Sequence, residues 1–344
     1  MFNHFSNMGD TLTVRQLALL GVAGLSAAAA VYYQKESRNQ RQRKNELAMD
    51  LLNLRKISST DKESTEYGIS FKPRSSDVFI VTYPKCGTTW MTQICHMLRG
   101  GDMNFGEIIE VCPWDEKALT CGQDLDADQV KEPRLFKSHL QRDNIAKGGK
   151  YIYVARNPED VFVSYFHFIL GFRGLEPDDI TMYQFADSVW ATYCGSIWNH
   201  FMGWFCVKDD PNVLWVFFED LKNDFRGQIE RVVDFMEIPE DVREDRIMQA
   251  LEKATFKFMS SHEQRNHFNN SFFFDKIKDK MGLPEDAKVN ERASNVRHGK
   301  MGQRSQIPHD LRKRLEEQWR VKVTPKSNCQ DYDSFRTSFR KLSA

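Results

Sequence analysis

Residues 78–90 read VFIVTYPKCGTTW, an apolar run followed by a turn with one glycine, one lysine and two adjacent threonines. Val78, Phe79, Ile80 and Val81 read as a buried strand, and Thr88–Arg99 as the helix that follows it. A turn joining strand to helix leaves backbone N–H groups without intrahelical partners, aimed at one point beside the positive helix end. Gly87 lets the backbone curl, Lys85 adds a point charge, and Thr88 and Thr89 add donors. These are the parts of a phosphate cradle. The lysine nevertheless precedes the only glycine, so the GxxxxGK[ST] order of nucleotide-triphosphate loops is not met. On composition alone a purely structural turn reads as well as a phosphate site.

Outward from this turn the chain alternates strands with helices. RLFKSHL (134–140), KYIYVARN (150–157) and NVLWVFFED (212–220) read as further strands, with helices at about 221–237 and 242–253. Asn157-Pro158-Glu159-Asp160 supplies an N-cap, a proline at the first helical position and acids in the first turn. The pattern predicts an α/β fold: three layers, a mostly parallel sheet flanked by helices, with a phosphate-loop-like strand–turn–helix. Ligands of such sheets sit at the C-terminal strand ends, so Tyr83, His139 and Arg156 are expected to converge.

The 344 residues suffice for one large α/β domain, and Lys+Arg and Asp+Glu both total 48, so formal net charge is zero. That balance argues against a general nucleic-acid binder. The seven cysteines are scattered, with no CxxC pair, which favours reduced thiols over a disulfide framework or zinc site. No HExxH pair occurs, and His262 and His267 read as surface. No metal is expected.

One segment stands apart. Leu17–Tyr33 carries no charge and is followed by Lys35, Arg38, Arg41, Arg43 and Lys44. Residues 1–34 read as a membrane anchor with its C-terminal flank cytosolic, or equally as a cleaved signal or organellar presequence. Residues 35–76 read as a polar linker, 77–325 as the principal domain and 326–344 as a C-terminal tail. The cytosolic side is expected, either membrane-anchored or soluble.

YPKCGTTW resembles the 5′-phosphosulfate loop, usually YPKSGTTW, of the cytosolic-type sulfotransferases. RLFKSHL, YIYVARNPEDVFVSYFHF, GSIWNHFMGW, VLWVFFEDLKND, ATFKFM and RHG follow in the family's order, over about residues 77–305. The resemblance implies a sulfotransferase that moves a sulfuryl group from 3′-phosphoadenosine 5′-phosphosulfate to a hydroxyl or amine of a small hydrophobic acceptor, without a metal. It implies that Lys85, Gly87, Thr88 and Thr89, with the backbone of Cys86, hold the 5′-phosphosulfate. Trp90 and Phe256 would sandwich the adenine, with Phe218 and Thr255 beside the nucleotide. Arg156 and Ser164 would grip the 3′-phosphate, and Arg297, His298 and Gly299 would close over it. His139 would act as base, because a neutral imidazole takes a proton near neutral pH. Lys137 and Lys85 would offset charge on the sulfuryl oxygens and on the leaving oxygen.

This chain departs from the family pattern in several places. Cys86 replaces a serine beside Lys85, where a helix start could lower a thiol's pKa. Phe218 stands where many members have tyrosine, Ala254 where threonine is common, and RHGKMGQRS replaces RKGxxGDWK. The KxxxTVxxxE dimer motif does not occur, which leaves the oligomeric state open. Phe105, Trp114, Phe168, Ile169 and Phe172 are candidates to wall the acceptor pocket, or else ordinary core. Two rival readings remain: an ATP-dependent kinase using Asp220 for Mg²⁺, and a non-catalytic nucleotide-binding relative.

Overall fold

The computed structural model describes residues 62–190, 196–279 and 301–340, parts of 34–49, and 285–286, 288, 294–296 and 299. The chain divides into two units, Met1–Asp50 and Leu51–Ala344. In the first, the described residues are helical, and Gln42 donates to Glu46 one turn on at 2.9 Å. The Leu17–Tyr33 run lies outside the described residues, as do Arg297 and His298. Among the described residues no helix is long and apolar enough to cross a membrane.

In the second unit the longer elements are α1 (Lys62–Ser70), β1 (Val78–Thr82), α2 (Thr88–Leu98), β2 (Leu135–Ser138), β3 (Lys150–Ala155), α3 (Pro158–Phe172) and α4 (Ile197–Phe205). Then come β4 (Val213–Phe217), α5 (Phe218–Asn223), α6 (Phe225–Met236), α7 (Glu240–Lys253), α8 (Ser271–Ile277), α9 (His309–Lys322) and α10 (Tyr332–Arg340). The strands form one parallel sheet in the order β2-β1-β3-β4.

Successive side chains leave a strand on opposite faces, so each sheet face collects every second residue. Val78, Ile80, Leu135, Ile152, Val154 and Val216 form an aliphatic core with Ile94, Val232, Val233 and Ile247 of α2, α6 and α7. The alternate positions are rich in aromatic residues. Phe79 stacks between Phe136 at 5.1 Å and Tyr151 at 5.5 Å, and Tyr153 lies 4.4 Å from Trp215. Phe335 of α10 joins them, 4.8 Å from Phe201, so the C-terminal tail completes this second core. Two cores on one sheet make the three layers.

A buried ion pair fixes the entry to β1 and β2. Arg134 grips both carboxylate oxygens of Asp77 at 2.9 and 2.7 Å, with the two side chains 1% and 0% exposed. Removing either partner would strand the other charge, which costs roughly 3–5 kcal/mol.

Three boundaries differ from the sequence reading. The strand of NVLWVFFED stops at Phe217, because Phe218 already begins α5. The helix expected over 221–237 is broken at Asp224, whose side chain accepts the Gly227 N–H and starts α6. Within the stretch read as linker, α1 is seated on the domain: Gly68 lies so close to the Asp115 carbonyl that a Cβ would stand 2.5 Å from its oxygen.

Candidate active site

β1 delivers the chain to the turn fully buried, and Lys85 and Gly87 then take left-handed backbone angles, φ 71° and 108°. Gly87 occupies the N-cap of α2 without a capping side chain, so the first α2 amides are not consumed by one. A Cβ at Gly87 would lie 2.9 Å from the Phe218 ring, a contact only glycine relieves. Thr82 Oγ1 and Thr88 Oγ1 share a hydrogen bond at 2.5 Å across the turn.

The turn opens into a cleft of about 300 Å³. Lys85, Gly87, Thr88, Thr89, Trp90, Arg156, Ser164, Phe218, Thr255, Phe256 and Gly299 all line it, and so do Lys137 and His139. Parallel strands bring these groups together because β2 and β3 flank β1 and all three end on the same side. Of the expected strand-end trio, His139 and Arg156 reach the cleft. Tyr83 does not: it is buried against Trp190, Tyr165 and His200.

Cys86 corrects the sequence reading. Its side chain is buried away from the cleft, and its backbone N–H donates to the Tyr83 carbonyl at 3.2 Å. Burial pushes the thiol well above its usual pKa, outweighing the Arg156 charge that pulls it down. Phe105 takes the second of its two readings, ordinary core. It packs edge-on against His96 and His267, each about 5 Å away, rather than on the cleft. Ile169 is core, and Phe172 stacks behind Phe168 at 5.8 Å. Trp114 and Phe168 do line the cleft.

Lys85 Nζ donates to Asn295 Oδ1 at 2.8 Å and sits 3.8 Å above the Phe168 ring. Trp90 is anchored by its Nε1–H on the Ala254 carbonyl at 2.6 Å and meets Phe218 edge-on at 5.4 Å. Phe256 is partly exposed over the cleft, and the absent side chain of Gly299 leaves room for its ring. Thr255 uses its hydroxyl to cap the short helix that Phe256 begins. Asn270, Asn295, Gln303, Lys222 and Met259 also line the cleft. Asn270 and Asn295 carry no local signal and arrive from elements remote in sequence, whereas Lys222, Met259 and Gln303 lie inside VLWVFFEDLKND, ATFKFM and RHGKMGQRS.

At the far end Lys137 Nζ lies 3.6 Å over the Trp114 ring, and Trp114 meets His139 edge-on at 5.2 Å. Burial lowers the Lys137 pKa, opposed by the charges of Glu107 and Glu116. His139 Nδ1 is 2.8 Å from the Thr82 carbonyl oxygen. A carbonyl only accepts, so Nδ1 carries the hydrogen and Nε2 keeps its lone pair. Burial first, and the Lys137 charge second, hold the imidazole well below its ordinary pKa. It is neutral at physiological pH, as a base must be.

Asp220, the acid of the kinase reading, is not at the cleft. It is buried and paired with Arg336 at 3.3 Å. Among the described residues, no group of three His, Cys, Asp or Glu side chains is placed to hold a metal ion.

The sulfotransferase domain model matches residues 75–330. This chain belongs to the sulfotransferase family. Rabbit (Oryctolagus cuniculus) amine sulfotransferase is 35% identical over 212 residues, covering 58% of this chain and 68% of the relative. Mouse (Mus musculus) sulfotransferase 2B1 is 32% identical over 205 residues, 56% of this chain and 59% of the relative, so this chain spans less than two thirds of that protein. The solved structure of retinol dehydratase, in a complex with retinol and PAP, superposes with a TM-score of 0.57 at 20% identity, covering 78% of this chain and 86% of that one. That likeness establishes a shared fold.

Proposed function

We propose that the cleft moves a sulfuryl group from 3′-phosphoadenosine 5′-phosphosulfate to a hydroxyl or amine of a small, largely apolar acceptor. The observation that carries this reading is a neutral His139 whose Nδ1 is occupied, in one cleft with Lys137 and the Lys85 turn. The acceptor oxygen attacks sulfur and its proton passes to His139 Nε2. The bond from sulfur to the bridging oxygen breaks, and 3′-phosphoadenosine 5′-phosphate departs with that electron pair. Lys137 faces the sulfuryl oxygens and Lys85 the leaving oxygen, supplying fixed positive charge where negative charge develops. Arg156 and Ser164 receive the 3′-phosphate, the guanidinium by two parallel hydrogen bonds. Trp114 and Phe168 give the acceptor an apolar wall. A fold neighbour holding PAP beside retinol supports both choices of ligand.

The test is thermal stability with added nucleotide, followed by turnover. 3′-Phosphoadenosine 5′-phosphate should raise the melting temperature where ATP does not, because a ligand selective for the native state stabilises it. His139→Ala should lose at least a hundredfold in turnover while keeping the nucleotide-induced shift. A shift with ATP alone would point to the kinase reading. Retained turnover would remove His139 from the reaction. Placement on the cytosolic face rests on the Leu17–Tyr33 run and its basic flank, and a C-terminal tag digestible in sealed vesicles is its expected signature.

A further inference from the structure

Behind His139 lie two buried polar groups that the reaction above leaves unused, Glu116 and His200. The His139 backbone N–H donates to Glu116 Oε2 at 2.8 Å. On the other side of the same residue, His200 Nε2 is 3.2 Å from the His139 carbonyl oxygen. That oxygen can only accept, so His200 carries its hydrogen on Nε2 and its Nδ1 accepts from the Tyr153 hydroxyl, 3.1 Å away. The imidazole lies nearly parallel to Tyr153 at 5.6 Å and edge-on to Tyr83 of the phosphate turn at 5.9 Å.

The surroundings make an imidazole here unexpected on packing grounds. His200 is 0% exposed, and its α4 neighbours Ile197, Trp198, Phe201, Met202 and Trp204 are all buried apolar residues. Burial depresses its pKa to about 4, so it stays neutral. A phenylalanine would fill such a site without desolvating two nitrogens. Both nitrogens of His200 are used, and one bond goes to the main chain of the residue that takes the proton.

We propose that His200 is a positioning residue for His139. With Glu116 it clamps the His139 main chain from both sides, so that Nδ1 stays on the Thr82 carbonyl and the Nε2 lone pair stays turned to the cleft. The proposal rests on the reading of His139 as the base. A base displaced by a fraction of an ångström loses rate without losing bound substrate, because alignment acts on the reacting step.

Full-length variants His200→Phe, His200→Gln and Tyr153→Phe are assayed for sulfation of 2-naphthol from 3′-phosphoadenosine 5′-phosphosulfate, beside His139→Ala. Melting temperature is read with and without 3′-phosphoadenosine 5′-phosphate, and imidazole ¹⁵N spectra report the His139 tautomer. His200→Phe should lower kcat about tenfold, the worth of one neutral hydrogen bond, with KM and the nucleotide-induced shift within about twofold. His200→Gln, whose amide nitrogen reaches the place of Nε2, should recover most of kcat. Tyr153→Phe removes only the hydroxyl that orders His200 and should lower kcat about threefold. His139 should be the Nδ1–H tautomer in the wild type and a mixture in His200→Phe. Wild-type kcat in a folded His200→Phe overturns the proposal. So does His200→Gln as impaired as His200→Phe when both melt and bind nucleotide normally. Should His200→Phe not fold, Tyr153→Phe decides by the same kcat criterion. Should 2-naphthol not be sulfated, an unmixed His139 tautomer in the variants overturns it. An active His139→Ala removes the base and this proposal together. An inactive His139→Ala beside a fully active His200→Phe removes only the positioning role.

Discussion

The guanidinium of Arg156 donates to the backbone carbonyl of Lys85 at 3.1 Å, tying the end of β3 to the phosphate turn. The same group lies 4.4 Å over the Phe218 ring. One side chain therefore braces the turn and faces the proposed 3′-phosphate. Arg156→Ala should weaken 3′-phosphoadenosine 5′-phosphate about a hundredfold or more, since hydrogen bonds to a charged group are worth roughly 1.5–3 kcal/mol each. The 3′-dephosphorylated nucleotide should weaken only several-fold, through the loosened turn. Calorimetric titration of both ligands is the measurement, and equal losses would sink the 3′-phosphate assignment.

Gly87 is the point where backbone angle and space both exclude a side chain. Alanine there would carry φ 108° and press on Phe218 at 2.9 Å. Gly87→Ala should cost roughly 1–3 kcal/mol of stability and weaken nucleotide binding, because the curl aims the turn's amides. Chemical denaturation with and without nucleotide measures both effects.

Cys86 should be chemically silent. Its thiol is buried and held in the protonated form, whereas Cys206 is exposed. Brief treatment of the native protein with iodoacetamide, followed by peptide mapping, should modify Cys206 and leave Cys86 untouched. Comparable labelling of the two would show that the turn opens.

His96, near the end of α2, gives a pH signature. Burial, and then the Arg99 charge, hold it at about 4 against an ordinary 6.5. Between those values the unfolded chain binds more protons than the folded one. Its contribution to stability is therefore complete above 6.5 and is lost as pH falls toward 4. The span corresponds to about 3 kcal/mol at most. Glu107, raised by burial to about 8, acts in the opposite sense, losing its contribution as pH rises. Urea unfolding at several pH values for wild type and His96→Gln isolates the histidine, since the Glu107 slope is common to both. The variant should show the shallower fall on the acid side.

Much of this protein was written locally. Val78–Val81 are consecutively apolar because a parallel strand is buried on both faces, and the lysine–glycine–threonine turn after them lies within one short stretch. Asn157 caps α3 by accepting from Glu159 and Asp160, as its own neighbours foretell. The acceptors, donors and bends at these places depend on adjacent residues, so sequence alone determined them.

Other features depended on which surfaces meet. Asn295 reaches Lys85 across 210 positions of chain, and no spacing rule announces it. Phe105 and Trp114 look alike as aromatic residues beside a predicted pocket, yet one turns to His96 and the other to His139. Cys86 sits at a helix start beside a lysine, which favours a thiolate, but burial reverses the balance because desolvating a charge outweighs a neighbouring one. Glu116 takes the His139 N–H and His200 the His139 carbonyl, and only the tertiary fold brings these two remote residues to the peptides on either side of one residue. Sequence determined the chemistry available at the turn and the strand ends. Tertiary packing decided which groups face the cleft and in what protonation state, because burial and orientation are set by distant parts of the chain.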